Sequence, residues 1–241
     1  MKNIKICIVG NSVALRVRPS LAFPENMNYT TLIDEMLNQR FNDYRFTLEN
    51  KAAGADTIKN IYQKIDSLIQ CFPDVYILNI GVVDACTREV PLWFYRLANR
   101  KSEDSISLFF RAVYRVLIAK IRPYLVFIRG KRSWISGAKF SKYFSLLIEN
   151  LKKETNSRIL VLPINPASSR IEKILPGSRK NQEKFNTIMK QISADNNLSF
   201  VALDQLKPEI HYPDGVHYST AGHRFVAEKI VSEIIKLLGL K

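Results

Sequence analysis

The sequence predicts an α/β fold, a doubly wound and mainly parallel sheet of five strands with helices on both faces. Three observations carry that reading. Segments 4–10 (IKICIVG), 75–81 (VYILNIG) and 158–165 (RILVLPIN) are short, β-branched apolar runs bounded by Gly, Pro or Asn, the pattern of strands buried on both faces. Stretches with apolar residues at helical spacing separate them, so strand and helix alternate along the chain. At 241 residues, 46% hydrophobic and 10% aromatic, the chain is long enough to bury one sizeable core as a single domain.

Taken in order, strand 4–10 runs into Asn11-Ser12 and is followed by a helix over 31–41. A weaker strand at 44–50 (YRFTLEN) precedes a helix over 57–71, and strand 75–81 follows it. Beyond the break in the rhythm described next come a helix over 139–154, strand 158–165, a helix over 179–194, a weak strand at 198–203 and a terminal helix over 220–238. The alternation is that of a flavodoxin-like sheet, in which ligands gather at the carboxyl ends of the strands.

From about 91 to 139 no strand is evident, while two or more amphipathic helical stretches rich in Arg, Lys, Trp, Phe and Tyr are. Ile106, Phe109, Phe110, Val113, Leu117 and Ile121 fall at helical spacing, with Arg111, Arg115 and Arg122 on another face. Such an insertion over the carboxyl edge of the sheet has three readings: a lid, a partner surface that includes peripheral contact with a membrane, or additional packing.

Thirty-six Lys and Arg against twenty-two Asp and Glu give a formal charge of +14, which bears on partners and solubility rather than on fold. An anionic small substrate, an anionic membrane surface, nucleic acid and a plain solvated surface all fit an excess of this sign. No dense basic run or nucleic-acid signature accompanies it, so no specific nucleic-acid partner is expected. Cys7, Cys71 and Cys86 are odd in number, lack CxxC spacing and lie in or beside apolar runs, which predicts buried free thiols in a reducing compartment. The N-terminus MKNIKICIVG enters a strand with no signal-peptide apolar region before it, so a cytoplasmic location is expected. The long apolar-looking stretch at 106–128 is interrupted by Arg111, Arg115, Lys120 and Arg122, which argues against a spanning helix.

Four segments fall on the carboxyl rim: GNS at 10–12, AAGAD at 52–56, GVVD at 81–84 and DGVH at 214–217. Ser12 leaves a strand at a sharp turn, where its hydroxyl can project and backbone N–H groups can face a developing oxyanion. A serine hydroxyl is a weak nucleophile without a base in reach; His217 is the candidate, since imidazole side chains exchange protons near neutral pH. Asp214, three residues before it, can meet the ring, fix its tautomer and stabilise the imidazolium. Taken singly, each has a plainer reading: Ser12 as a helix N-cap, and Asp214 as a turn former with Gly215.

Together, GNS, AAGAD and DGVHYSTAGH occur in the order and places of the SGNH/GDSL hydrolase blocks, and the chain resembles that family from Gly10 to the last helix. The resemblance implies Ser12 as nucleophile, His217 as base and Asp214 as the acid that orients it, with the Ser12 and Gly54 N–H groups as the oxyanion hole and no cofactor. His223, in the following AGHRFVAEKI, is implied to pack rather than react. His211 reads as a loop residue, and no companion His, Cys or carboxylate cluster points to a metal.

The resemblance is imperfect at the third block. Where the family has Gly-x-Asn-Asp, with the asparagine donating to the oxyanion, GVVD places Val83, which donates nothing; one such donor is worth about 3 kcal/mol. Arg88, and Arg16 and Arg18 after Ser12, can supply a guanidinium to the oxyanion or to an anionic part of the substrate, and Arg16 and Arg88 are taken as substrate-binding residues. Asn79, four residues earlier in the strand, should lie too far below the rim to substitute. Asn11 stands where the family has aspartate and is expected to serve as a hydrogen-bonding replacement, and Asp84 is expected to tie its loop together.

The leading expectation is thus a serine-dependent ester hydrolase or O-acyltransferase acting on an acylated anionic or carbohydrate substrate, with surface-polysaccharide modification as a further implication of the resemblance. Two rivals stay open: a non-catalytic member of the fold that binds a glycan or anionic ligand, and a nucleic-acid or membrane-surface binder that uses 91–139.

Overall fold

The computed structural model describes residues 1–15, 18, 27–100, 102 and 104–240. Five parallel strands, β1 (Lys2–Gly10), β2 (Tyr44–Asn50), β3 (Val75–Asn79), β4 (Arg158–Val161) and β5 (Ser199–Phe200), form one sheet in the order β2-β1-β3-β4-β5. The strand alternation of two residues divides the core. Ile4, Ile6 and Ile8 of β1, Val75 and Ile77 of β3 and Leu160 of β4 face one apolar layer, while Cys7, Val9, Tyr76, Leu78, Ile159 and Val161 face the other. Both faces are covered, which is why these strands read as continuous apolar runs.

On the first face lie α1 (Tyr29–Arg40) and α12 (Thr220–Leu238), which pack against each other through Ile33, Leu37, Val226, Ile230 and Ile234. Against the second pack α2 (Ile58–Tyr62), α3 (Ile65–Ile69), α8 (Gly137–Glu154) and α10 (Ser178–Asp195), through Ile58, Leu68, Phe140, Phe144 and Phe185. Side-chain oxygens satisfy the first turns: Asn28 accepts from the N–H groups of Thr30 and Thr31, Ser136 from Lys139, and Ser219 from Gly222. The five-stranded parallel sheet and the two helical layers are those the sequence predicts, and the strand order is that of a flavodoxin-like sheet.

Boundaries differ for identifiable reasons. The helix expected over 57–71 is two short helices, because Lys64 leaves helical geometry at φ −104 and ψ 16 and its ammonium reaches back to Asp56 at 2.6 Å. β3 stops at Asn79 because Gly81 turns the chain at φ 103, in the left-handed region open to glycine, into α4 (Val82–Ala85). β4 stops at Val161, just before Pro163, which has no N–H to extend the ladder; β5 accordingly pairs over two residues, not six. Three smaller helices, α9 (Ser169–Ile174), α11 (Pro208–His211) and α5 (Leu92–Ala98), flank the rim.

The 91–139 segment is helical, as expected: α5 is followed by α6 (Ser105–Val113), a π turn at Tyr114–Ile118 and α7 (Arg122–Ile128), with a single antiparallel bridge between Thr87 and Ser133. Its apolar stripe does not pack inward. Ile106 and Phe109 are each 64% exposed and Leu117 is 58% exposed, whereas Ser107 is buried. Two of the arginines on the other face are tied to the protein. Arg111 donates to the carbonyls of Arg100 and Ser102 at 2.5 and 3.2 Å, and Arg122 lies beside the buried Glu89 carboxylate. Among the described residues no helix is long and apolar enough to cross a membrane.

The start of α12 is pressed against the end of α11. A Cβ at Gly222 would lie 2.0 Å from the His211 carbonyl oxygen, which is backbone and cannot swing aside. Gly222→Ala is therefore expected to destabilise the fold by roughly 1–3 kcal/mol or more, read as a lower denaturant midpoint at unchanged m-value.

Candidate active site

Parallel strands deliver their outgoing loops to one edge of the sheet, and the residues singled out from the sequence meet there. Ser12 follows β1, Gly54 follows β2, Val83 and Asp84 follow β3, and Asp214 and His217 lie between β5 and α12. Ser12 opens a 3-10 turn (Ser12–Ala14) capped by Asn11, whose backbone is extended and whose Oδ1 accepts from the Val13 N–H at 3.4 Å. Asn11 is thus a hydrogen-bonding residue at the turn, as expected.

His217 Nε2 lies 2.9 Å from Ser12 Oγ, and His217 Nδ1 lies 2.8 Å from Asp214 Oδ2. With Nδ1 donating to the carboxylate, the Nε2 lone pair is left to accept the Ser12 hydroxyl proton. The other Asp214 oxygen accepts the N–H groups of Val216 and His217 at 2.9 and 2.7 Å, so the three-residue spacing closes a turn and holds the acid under the ring at once. Burial pushes the Asp214 carboxyl up, but the His217 ring and the two backbone N–H groups outweigh it and hold the group down at about 2. It is ionised across the neutral range. Arg18 Nε sits 3.4 Å from Asp214 Oδ2, a cation beside the acid. Arg18 is bound to this carboxylate rather than free for a ligand, a pairing for which the sequence offers no signal beyond proximity to Ser12.

Ser12 and His217 open into a cleft of about 500 Å³ whose walls include Gly54, Val83, Arg88, Tyr95, Trp134 and Leu175. Neither the Ser12 N–H nor the Gly54 N–H donates to an acceptor among the described residues, so both remain available to an oxygen in the cleft. Ala55, held in the left-handed region at φ 61, turns the chain immediately after Gly54. Val83 offers only methyl groups to this space. The Arg88 guanidinium lies 4.0 Å above the Trp134 ring, donates through Nη2 to the Val83 carbonyl at 3.2 Å, and leaves its buried Nε without a partner. Tyr95 packs on Trp134 at 4.7 Å between ring centroids, and the Trp134 indole N–H donates to the Val90 carbonyl at 2.9 Å. Periodicity could not single out Tyr95 or Trp134, because both belong to the insertion and come to the cleft only through its folding.

Asp84 is fully buried and both its oxygens accept the Ile58 N–H, at 3.0 and 3.1 Å, which ties the loop after β3 to the first turn of α2 and so to the Gly54 loop. This is the loop-tying role expected of it. Burial pushes its carboxyl up to about 7, against the opposing pull of the Ile58 N–H and Arg88. Asn79 is buried and donates to the Tyr29 hydroxyl at 2.9 Å, away from the cleft walls. His223 is buried between Tyr29 and Tyr218 and accepts the Tyr29 N–H at 3.0 Å, a packing residue. His211 is the last residue of α11 rather than part of an open loop, and its Nδ1 accepts the Lys207 N–H at 2.8 Å. All three cysteines are free and buried. Among the described residues no group of three His, Cys, Asp or Glu side chains could hold a metal ion. Arg16 lies outside the described residues.

A doubly wound sheet with a serine, a histidine and an aspartate in one hydrogen-bonded line on its carboxyl rim defines an esterase-type hydrolase. The sequence profile of the GDSL-like Lipase/Acylhydrolase family matches residues 8–225, and the chain belongs to that family. Its fold is similar to that of Axe2, an acetylxylan esterase from Geobacillus stearothermophilus, at 18% identity and a TM-score of 0.64, with 96% of this chain and 94% of that one covered. Two related structures are of catalytic mutants of that esterase in which a serine or a histidine is replaced by alanine. A lipase/acylhydrolase from Enterococcus faecalis (16% identity, TM-score 0.64, 96% and 95% covered) and TesA (14%, 0.61, 97% and 99%) share the fold. No curated protein matches the chain in sequence.

The raised carboxyl of Asp84 has a direct consequence for stability. Its folded value, about 7, lies above the ordinary 3.8, so the folded state holds the proton more tightly and loses stability as pH rises from about 4 through about 7. Asp84→Asn keeps an oxygen for the Ile58 N–H and should remove that decline, roughly a few kcal/mol at most. Urea unfolding of both proteins across this range is the measurement, and parallel pH profiles would assign the decline to another group.

Proposed function

We propose that the chain is a serine-dependent esterase whose nucleophile is Ser12. In this reading Ser12 Oγ attacks the ester carbonyl carbon as its proton passes to His217 Nε2, while Asp214 holds the ring and stabilises the imidazolium. The N–H groups of Ser12 and Gly54 receive the oxyanion. Collapse of the tetrahedral intermediate expels the alcohol, which takes the proton from Nε2, and leaves Ser12 acylated. Water, or the hydroxyl of an acceptor, then gives its proton to Nε2 and attacks the acyl carbon, and Ser12 is regenerated. With water the reaction is hydrolysis; with a sugar hydroxyl it is O-acyl transfer.

The single observation that carries the proposal is the unbroken Asp214–His217–Ser12 line, 2.8 and 2.9 Å per contact, at the mouth of a cleft large enough for a substrate. The substrate class we favour is an acylated carbohydrate or anionic ester. Support comes from the aromatic wall of Tyr95 and Trp134, which suits the face of a sugar ring, and from Arg88, a cation among the residues that line the cleft. The acetylxylan esterase of the same fold acts on a carbohydrate ester. Arg88 is proposed to bind the anionic or polar part of the substrate, and Arg16 is kept with it as a substrate residue on sequence grounds. Modification of a surface polysaccharide in the cytoplasm is the setting proposed for this activity.

Val83 favours a second reading, a non-catalytic binder of the same ligands, because this position contributes no oxyanion donor. A fluorophosphonate probe separates the two. Wild-type protein should be labelled at Ser12, Ser12→Ala should not be labelled, and His217→Ala should lose about four decades of kcat on an acetyl ester. A wild-type protein that ignores both the probe and every ester tested is a binder.

Arg88→Gln tests the substrate assignment. KM for an anionic ester should rise about tenfold while that for an uncharged ester stays within about a factor of two. An equal fall in kcat on both esters would instead assign Arg88 to the oxyanion.

A further inference from the structure

Within the segment between β3 and α8, α6 and the π turn that follows it are amphipathic in the reverse sense. A helix on a water-soluble surface normally turns its apolar stripe to the core and its charges outward. Here the inward side of α6 and of the π turn carries Ser107, which is buried, Arg111, which is tied to two backbone carbonyls, and Tyr114, whose hydroxyl donates to the buried Glu89 at 2.5 Å. The outward side carries Ile106, Leu108, Phe109, Val116 and Leu117, between 46% and 65% exposed. On α5, Trp93 is 59% exposed and joins this face through edge contacts with Phe94 and Phe110, which also meets Phe109. On α7, Tyr124, Phe127 and Ile128 are 69–78% exposed. The polar cluster of Glu89, Tyr114 and Arg122, with Arg122 Nε 3.1 Å from the carboxylate, fixes the segment in this orientation.

An apolar surface of this extent needs a partner, and the charge around it says of which kind. Residues 91–139 hold eleven Lys and Arg but only two acidic residues, and so supply nine of the fourteen net positive charges of the chain. Asp104 is one of those two acids, and it is occupied in capping α6. A second copy of the chain docked on the same face would set these like charges against each other. An anionic bilayer matches both properties: cations for the headgroups, and Trp, Tyr and Phe for the boundary with the acyl chains. Beside Trp93, a groove of about 660 Å³ is lined by Leu92, Trp93, Arg96, Leu97 and Arg100, an apolar floor with two guanidinium-bearing residues.

We propose that the 91–139 segment docks the protein on an anionic lipid surface, lying in the interface without crossing it. Tyr95 of α5 and Asn99 just beyond its end line the Ser12 cleft, so docking brings the cleft mouth next to the membrane. The proposal is independent of the chemistry at Ser12.

The full chain is to be sedimented with vesicles of phosphatidylcholine alone and of phosphatidylcholine with phosphatidylglycerol. Binding is expected only to the anionic vesicles, weakening steeply as salt is raised from about 0.05 to about 0.5 M, with a blue shift of tryptophan emission that Trp93→Phe removes. The exposed triple variant Ile106→Ser, Phe109→Ser, Leu117→Ser should keep the wild-type circular dichroism and bind at least about tenfold more weakly, while Ser12→Ala binds as wild type. No pelleting with anionic vesicles at low salt overturns the proposal, as does a folded triple variant that binds unchanged. A concentration-dependent dimer in ultracentrifugation that the same triple variant dissociates also overturns it, and gives the face to a second copy.

Discussion

One hydrogen bond joins the two ends of the chain: Ser12 Oγ to His217 Nε2, across 205 positions of sequence. A loop of that length carries a large closure entropy, and a single hydrogen bond is worth about 1 kcal/mol, far too little to hold it. The contact exists because the sheet and its two apolar layers hold its ends in place. β1 is paired on both sides, by β2 and β3, and is buried from Ile6 to Gly10, so Ser12 leaves a rigid strand. α12 is anchored under the same sheet face through Val226, Ile230 and Ile234, and its first turn is capped by Ser219, two residues after His217.

Between those anchors the rim is laced together by polar contacts that answer local needs. Asp214 satisfies two backbone donors of its own turn and the His217 ring with the same carboxylate, which keeps the acid ionised although half-buried. Asp84 does the opposite work: it is buried without a cation tight enough to hold it ionised, so its carboxyl rises while it clasps the start of α2. Two aspartates on one rim thus have divergent acidities for a single reason, the number of donors each meets against the depth at which it is buried.

The insertion applies a different rule to its helices. Val126 of α7 packs inward on Cys86 and Leu175, but around α6 and the π turn the inward contacts are mainly hydrogen bonds and an ion pair, with Tyr95 and Trp134 lining the cleft, while the exposed side is apolar. Polar groups buried in this way must be paired, and Glu89 and Ser107 are, by Tyr114 and Arg122 and by Asp104 respectively. The arrangement makes one segment serve two surfaces, the wall of the cleft and the exposed apolar face.

Sequence alone determined the parallel sheet, the four rim segments and the family, because strand alternation and turn chemistry are local and because Gly10 to Ser12, Gly54 and Asp214 to His217 are short blocks with fixed spacing. Asp84, His223 and the buried thiols were legible for the same reason. What periodicity could not supply was direction: Ile106, Phe109 and Leu117 fix that α6 and the π turn have an apolar stripe, but not which way it faces. Only the tertiary structure decided that, through the buried Ser107 and through the buried Glu89 that Tyr114 and Arg122 meet. It alone also set Arg18 against Asp214 and Arg88 over Trp134, since a long cationic side chain reaches many partners and its sequence neighbours do not choose among them.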